Sequence, residues 1–259
     1  MTVFQNLRRA WRGLYSAAAG LAFPLGGWWL YSGTGEGQAD RLDKGLAFVL
    51  PGIEGFGPLN WNIACGLIDG GFPGAVIVHD WTTGVWPLFA FHLRAEPRNR
   101  RRAKEIARLI LDYQMKFPGR PVHLVGHSGG AVIAVWTLEE LPENHPVESA
   151  VLLGAALSPS YCLSKALSRT NMGIWHYWSP LDFLFLAAGT LLFGTADGRH
   201  SVAAGCCGFR RHLECERLWQ RCYQPRMLRQ FHAGGHFGWA NSVFVAEEIV
   251  PLLQMHSTM

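Results

Sequence analysis

The sequence predicts an α/β protein: a mostly parallel central sheet flanked by helices on both faces, a three-layer αβα sandwich. Three observations lead there. From residue 45 onward, short apolar runs alternate with amphipathic stretches at the rhythm of strand–helix–strand units. The apolar runs are nearly continuous rather than alternating, as strands buried on both faces require. The 259 residues, 49% apolar and 16% charged, suffice for one substantial core, with no internal repeat.

In order, "GLAFVL" (45–50) is the first strand, stopped by Pro51–Gly52, and "GAVIVHD" (74–80) is the second. The stretch 98–117 is a helix, with Ile106, Leu109, Ile110, Tyr113 and Phe117 on one face and Pro118–Gly119 as its stop. Its arginine run reads as a solvated start of that face. The strand "VHLVGH" (122–127) follows, then a helix over 130–141 ending before Pro142. Strands "ESAVLLGAA" (148–156), "MGIWHYWS" (172–179) and "RMLRQFH" (226–232) come next, with a last helix near 240–253.

Residues 1–40 differ in character from the domain at 41–259. Arg8, Arg9 and Arg12 precede an uncharged run over 14–31, the pattern of a membrane-targeting or anchoring segment. Pro24 and Gly26–Gly27 weaken it as a spanning helix, and Leu30 and Tyr31 make a poor cleavage site. The other reading is an amphipathic leader packed on the domain. Membrane association through residues 8–31, with anchoring or export, follows from the first; a cytoplasmic protein follows from the second.

Net charge is only +4 and is scattered, which excludes nucleic acid as the expected partner. Among the six cysteines, Cys206, Cys207, Cys215 and Cys222 crowd together near His212, without zinc-ribbon spacing. Free thiols are the simplest reading, with Cys215 and Cys222 on one helix face. No compact His/Asp/Glu set appears, so neither metal nor cofactor is implied.

Ligands of parallel sheets bind beyond the carboxyl ends of the strands. Read in order, those ends carry "PGIEG", "HDWTTGVW", "GHSGG", "SPLD" and "AGGHFGW". Serine, aspartate and histidine thus emerge in chain order at one edge. Here the chain resembles the α/β-hydrolase superfamily, whose G-x-S-x-G elbow joins a strand to a helix and whose triad runs in this order. The resemblance implies a serine hydrolase acting on carboxylic esters, esterase- or lipase-like, with small-molecule or lipid-like substrates.

It assigns Ser128 as nucleophile, His236 as general base and Asp182 as the acid that orients the imidazole. Asp197 in "GTADG" is the rival acid, and Asp80 is a runner-up. His232 lies within the last strand rather than after it. Gly129 N–H is one oxyanion donor. "PGIEG" resembles the H-G-x-x-G loop of lipases, making Ile53 N–H the other, with Pro51 standing where the family has histidine.

The aromatic stretches near this edge offer Trp61, Trp81, Trp86 and Phe183 as a substrate wall suited to a hydrophobic acyl group. Core is the commoner place for such aromatics, and is the other reading of the same residues. Thioester or amide hydrolysis and acyl transfer remain open on the same triad, as does a membrane-attached binding protein without catalysis.

Overall fold

A computed structural model describes residues 3–22, 39–85, 88–212, 216–228 and 235–255. Strands β1 (Leu46–Leu50), β2 (Ala75–Val78), β3 (Val122–His127), β4 (Val147–Leu153), β5 (Thr170–Tyr177) and β6 (Cys222–Tyr223) form one sheet. Its order is β2-β1-β3-β4-β5-β6, with every pairing parallel. The chain moves outward from β1 to β2, then returns past β1 to β3. This reversal opens a crevice at the carboxyl ends of β1 and β3.

Alternation along the strands builds two core layers. Leu46, Phe48 and Leu50 of β1 join Leu124, Ala150, Leu152 and Ile174 on one face. Ala47, Val49, Val125, Val151 and Leu153 point to the other. The first face is covered by helices α4 (Glu96–Lys116) and α5 (Gly129–Glu140), and the second by α2 (Pro58–Asp69) and the helical run 242–254. Helix α5 lies in the middle of its layer, so Gly129–Glu139 are all buried whatever their position on the helix. A helix apolar all round is the sign of that placement.

Helix α4 departs from the expected face in one respect. Ala103, Ile106, Ala107, Ile110 and Tyr113 are buried, whereas Leu109 is 43% exposed. Helix α5 lies against the alanine side, where small residues allow close approach, so the buried stripe is rotated away from Leu109. The arginine run is not simply solvated either. Arg100 pairs with Glu96 and Glu139 and lies 4.6 Å over Trp136, and Arg98 donates to the Trp81 carbonyl at 2.9 Å.

The sixth strand is shorter and earlier than expected. Cys222–Tyr223 carry the pairing, one further bridge joins Trp178 to Arg226, and residues 229–232 lie outside those described. Pro225 interrupts the ladder because it has no N–H to give. Cys222 therefore sits in a strand and not on a helix face with Cys215, which lies outside the described residues. Cys206 and Cys207 are free thiols.

Helix α1 (Val3–Ala22) packs on the segment Gly235–Ala240 and on α2. Its anchor is Arg9, 2% exposed, which meets Glu247 at 2.6 Å and Glu248 at 3.1 Å. Asn241 donates from Nδ2 to the Arg9 carbonyl, and its Oδ1 accepts from Val243 N and Phe244 N, capping the C-terminal helical run. Among the described residues no helix is long and apolar enough to cross a membrane. Residues 23–31 of the apolar run lie outside the described residues.

Candidate active site

Strand β3 feeds directly into α5 through Ser128. The turn is tight: Ser128 has φ 53° and ψ −114°, the one positive φ outside glycine among the described residues. L-residues avoid this region because Cβ crowds the backbone, and it persists only where the surroundings enforce it. Three bonds do so here: Ser128 N donates to the Leu153 carbonyl at 2.9 Å, and the Ser128 carbonyl accepts from Ala131 N at 3.2 Å and Ala156 N at 3.4 Å.

The flanking glycines are required by contact rather than by torsion. A Cβ on Gly130 would overlap the Leu50 and Pro51 carbonyl oxygens, and one on Gly126 would lie 2.6 Å from Ala131 Cα. Helix α5 can therefore press against β1 and β3 only with hydrogen at both positions.

Asp182 follows β5 in the turn "SPLD", held by its N–H to the Ser179 carbonyl at 3.1 Å. His236 is on the 3-10 turn Gly235–Ala240. The three distant segments converge. His236 Nδ1 donates to Asp182 Oδ2 at 2.7 Å, which leaves Nε2 to accept from the Ser128 hydroxyl at 2.9 Å. Trp239 Nε1 donates to the same Asp182 oxygen at 3.1 Å. All three side chains are buried: Ser128 4%, Asp182 1% and His236 8% exposed.

Burial alone would lower the proton affinity of the His236 imidazole. The Asp182 carboxylate, through its charge and hydrogen bond, and the Glu54 charge outweigh that effect, and His236 titrates above its ordinary value. An imidazolium formed here would be stabilised in place.

The two rival acids are engaged elsewhere. Asp197 accepts from Ser158 N at 2.9 Å and from the Ser158 hydroxyl, closing the loop after β4. Asp80 accepts from Thr82 N and Phe56 N, and so binds the loop after β1.

That loop brings Ile53 beside Gly129. A Cβ built on Gly129 would sit 3.4 Å from Ile53 N and 2.8 Å from Ile53 Cγ2, so Ile53 lies against the residue that follows Ser128. Gly129 N–H heads a helix and has no intrahelical acceptor. Pro51 cannot give the support of a histidine at its position; other side chains do. Trp81 Nε1 donates to the Pro51 carbonyl at 2.7 Å. His92 Nδ1 donates to the Ile53 carbonyl at 2.9 Å, while its Nε2 meets the Thr83 hydroxyl at 2.7 Å. Burial first of all holds His92 below its ordinary titration value, aided by Arg98 and opposed by the Ile53 bond.

His127, between Gly126 and Ser128, is 1% exposed. Its Nε2 donates to the His236 carbonyl at 3.1 Å, and its ring centroid is 4.9 Å from that of His236. The elbow and the histidine turn are thereby tied together. Glu54 Oε1 stands 3.6 Å from His127 Nδ1, too far for a hydrogen bond.

The expected wall residues are dispersed. Trp81 is 1% exposed and props the loop from behind, so it offers no open surface. Trp61 is half-buried on the first turn of α2, and Phe183 is 62% exposed at the surface. Trp86 lies outside the described residues, as does His232. The ring that does meet the site is Phe185, stacked on His236 with Phe237 edge-on to both. Phe185 lies in the π-helical segment Leu184–Gly189, whose wider winding spoils any helical-period reading of "LDFLF".

In structure, the chain is similar to Trichoderma reesei cutinase in complex with a C11Y4 phosphonate inhibitor, at 13% identity and TM-score 0.40, covering 94% of this chain and 89% of that one. It is also similar to Aspergillus fumigatus lipase B, at 12% identity and TM-score 0.38, covering 83% of this chain and 65% of that one. No family model matches the chain. No curated protein sequence matches it.

Proposed function

We propose that this chain, an α/β-hydrolase by fold, is a serine hydrolase that cleaves carboxylic esters. The observation that carries the reading is the unbroken relay from Ser128 through His236 to Asp182, with the serine held in a strained turn. A serine hydroxyl is a weak nucleophile near neutral pH, and the relay supplies the base that it lacks.

Ser128 Oγ attacks the ester carbonyl carbon as its proton passes to His236 Nε2. The new oxyanion accepts from Ile53 N–H and Gly129 N–H. Collapse breaks the C–O bond, the imidazolium gives its proton to the departing alkoxide, and an alcohol leaves. Water then gives a proton to His236 and attacks the acyl-enzyme, releasing the acid and restoring Ser128. Asp182 accepts from the imidazole throughout and favours the imidazolium.

A hydrophobic acyl group fits this entrance better than a charged metabolite. Phe185 and Phe237 border the imidazole, and Leu181, Phe183 and Leu184 lie exposed beside them. The test is hydrolysis of short p-nitrophenyl esters together with fluorophosphonate labelling and peptide mapping. Modification of Ser128, with activity lost in Ser128→Ala, is the expected result. Equal activity in the variant would sink the assignment, and a folded protein whose Ser128 resists the probe would favour a binding protein.

A further inference from the structure

Helix α1 is attached to the domain by the wrong face for an ordinary surface helix. Such helices bury their apolar stripe and turn charge to water. Here the buried positions are Arg9 and Gly13, secured by the Glu247 and Glu248 ion pairs and by Asn241. The apolar stripe points out. Phe4, Leu7, Trp11 and Leu14 recur at three- and four-residue spacing and are exposed at 74%, 65%, 70% and 55%. Val3 and Tyr15 widen the stripe, and exposed Arg8 and Arg12 run along the border beyond Tyr15.

So much contiguous apolar surface is unusual on a protein face that nothing covers. Among the described residues none covers it, because the buried polar anchor holds the helix in the opposite sense. Leu191, Leu192 and Phe193 are exposed as well, on the helical turn that continues from Leu184–Gly189.

We propose that the outer face of α1 is a docking surface for an anionic lipid bilayer, on which the helix lies flat without crossing. The chemistry matches on both counts. A long apolar stripe with Trp and Phe suits the acyl boundary, and arginines along its edge suit phosphate headgroups. A second protein copy would meet the same two arginines as like charges across a two-fold axis, which disfavours it.

The test is flotation of the full chain with phosphatidylcholine vesicles, made with and without phosphatidylglycerol. Wild type floats with the anionic vesicles. The double variant Leu7→Asp/Trp11→Asp loses about a hundredfold in partitioning, since two large apolar side chains are replaced by charges. Arg8→Ala/Arg12→Ala loses roughly tenfold on anionic vesicles and little on neutral ones. Both double variants keep the wild-type hydrolysis of a soluble p-nitrophenyl ester, and Trp11→Ala gives an intermediate loss should the aspartates disturb the helix.

No flotation by wild type, or equal flotation by the Leu7/Trp11 variants, overturns the proposal. So does a dimer in light scattering that these variants dissolve while no vesicle binding is seen. Ser128→Ala is expected to float as wild type does, so loss of hydrolysis and loss of docking are separate results.

Discussion

Phe185 lies on His236 with ring centroids 5.0 Å apart and planes only 25° from parallel, while 40% of its surface remains exposed. One aromatic ring thus serves as roof to the imidazole and as lip to solvent. Removing it hydrates His236, and burial is the influence that lowers proton affinity there. Phe185→Ala is therefore expected to move the acidic limb of the kcat/KM profile to higher pH. The rate above that limb falls by about tenfold as the base loses its fixed position. Phe183→Ala, at the exposed neighbour, is expected to leave the limb unmoved. A limb shift in the second variant and none in the first would remove Phe185 from the site.

Glu54 acts on the same group in the opposite sense. Its charge favours the imidazolium, so Glu54→Gln weakens proton binding at His236 and shifts the acidic limb to lower pH. The stability linkage has the opposite dependence from that of a carboxylate. His236 binds its proton more tightly folded than unfolded, so the pairing stabilises fully below the ordinary value of 6.5 and fades as pH rises through the raised folded value. Thermal melts across that window should show wild type losing stability relative to Asp182→Asn as pH increases. A constant difference would mean that His236 gains no proton affinity on folding.

On the proposed mechanism, His92 positions the loop that carries the oxyanion donor Ile53. Its Nδ1–H fixes the Ile53 carbonyl, and the peptide behind that carbonyl sets where the loop can move. His92→Ala should lower kcat by roughly tenfold to a hundredfold with KM nearly unchanged, since the oxyanion forms only in the transition state. A substitution that retains a donor, His92→Gln, should recover part of the loss. If both variants raised KM and spared kcat, His92 would be a substrate contact instead.

The sequence displays these features unequally, for physical reasons. The turn at Ser128 is local: glycine at 126 and 130 is demanded by carbonyls and backbone within one strand–turn–helix unit, so five residues reveal it. Asp182 and His236 follow from strand order, because each lies just past a strand or its sequel. His92 and Trp81 are different. Their bonds to Ile53 and Pro51 span 39 and 30 residues and leave no periodic trace. Phe183 and Phe185 are two residues apart in one short helical stretch and so point to opposite sides, but nothing in that stretch says which side meets His236. The inverted seat of α1 depends on Glu247 and Glu248 at the far end of the chain, so its amphipathic pattern alone could not say which face is buried.

Ser128 itself carries a measurable cost. With φ 53° and ψ −114° it occupies a conformation that glycine adopts freely and that a Cβ opposes by about 1–3 kcal/mol. Ser128→Ala and Ser128→Gly both remove the nucleophile, yet only glycine removes the crowding. Glycine also gains freedom in the unfolded chain, worth about 0.5–1 kcal/mol against it. The difference leaves Ser128→Gly more stable than Ser128→Ala by up to about 2.5 kcal/mol, which at this chain length raises Tm by up to roughly 10 °C. Paired thermal melts of the two inactive proteins would measure it directly. A glycine variant melting at or below the alanine variant would mean that the turn is relaxed, and that the fold stores no strain at its nucleophile.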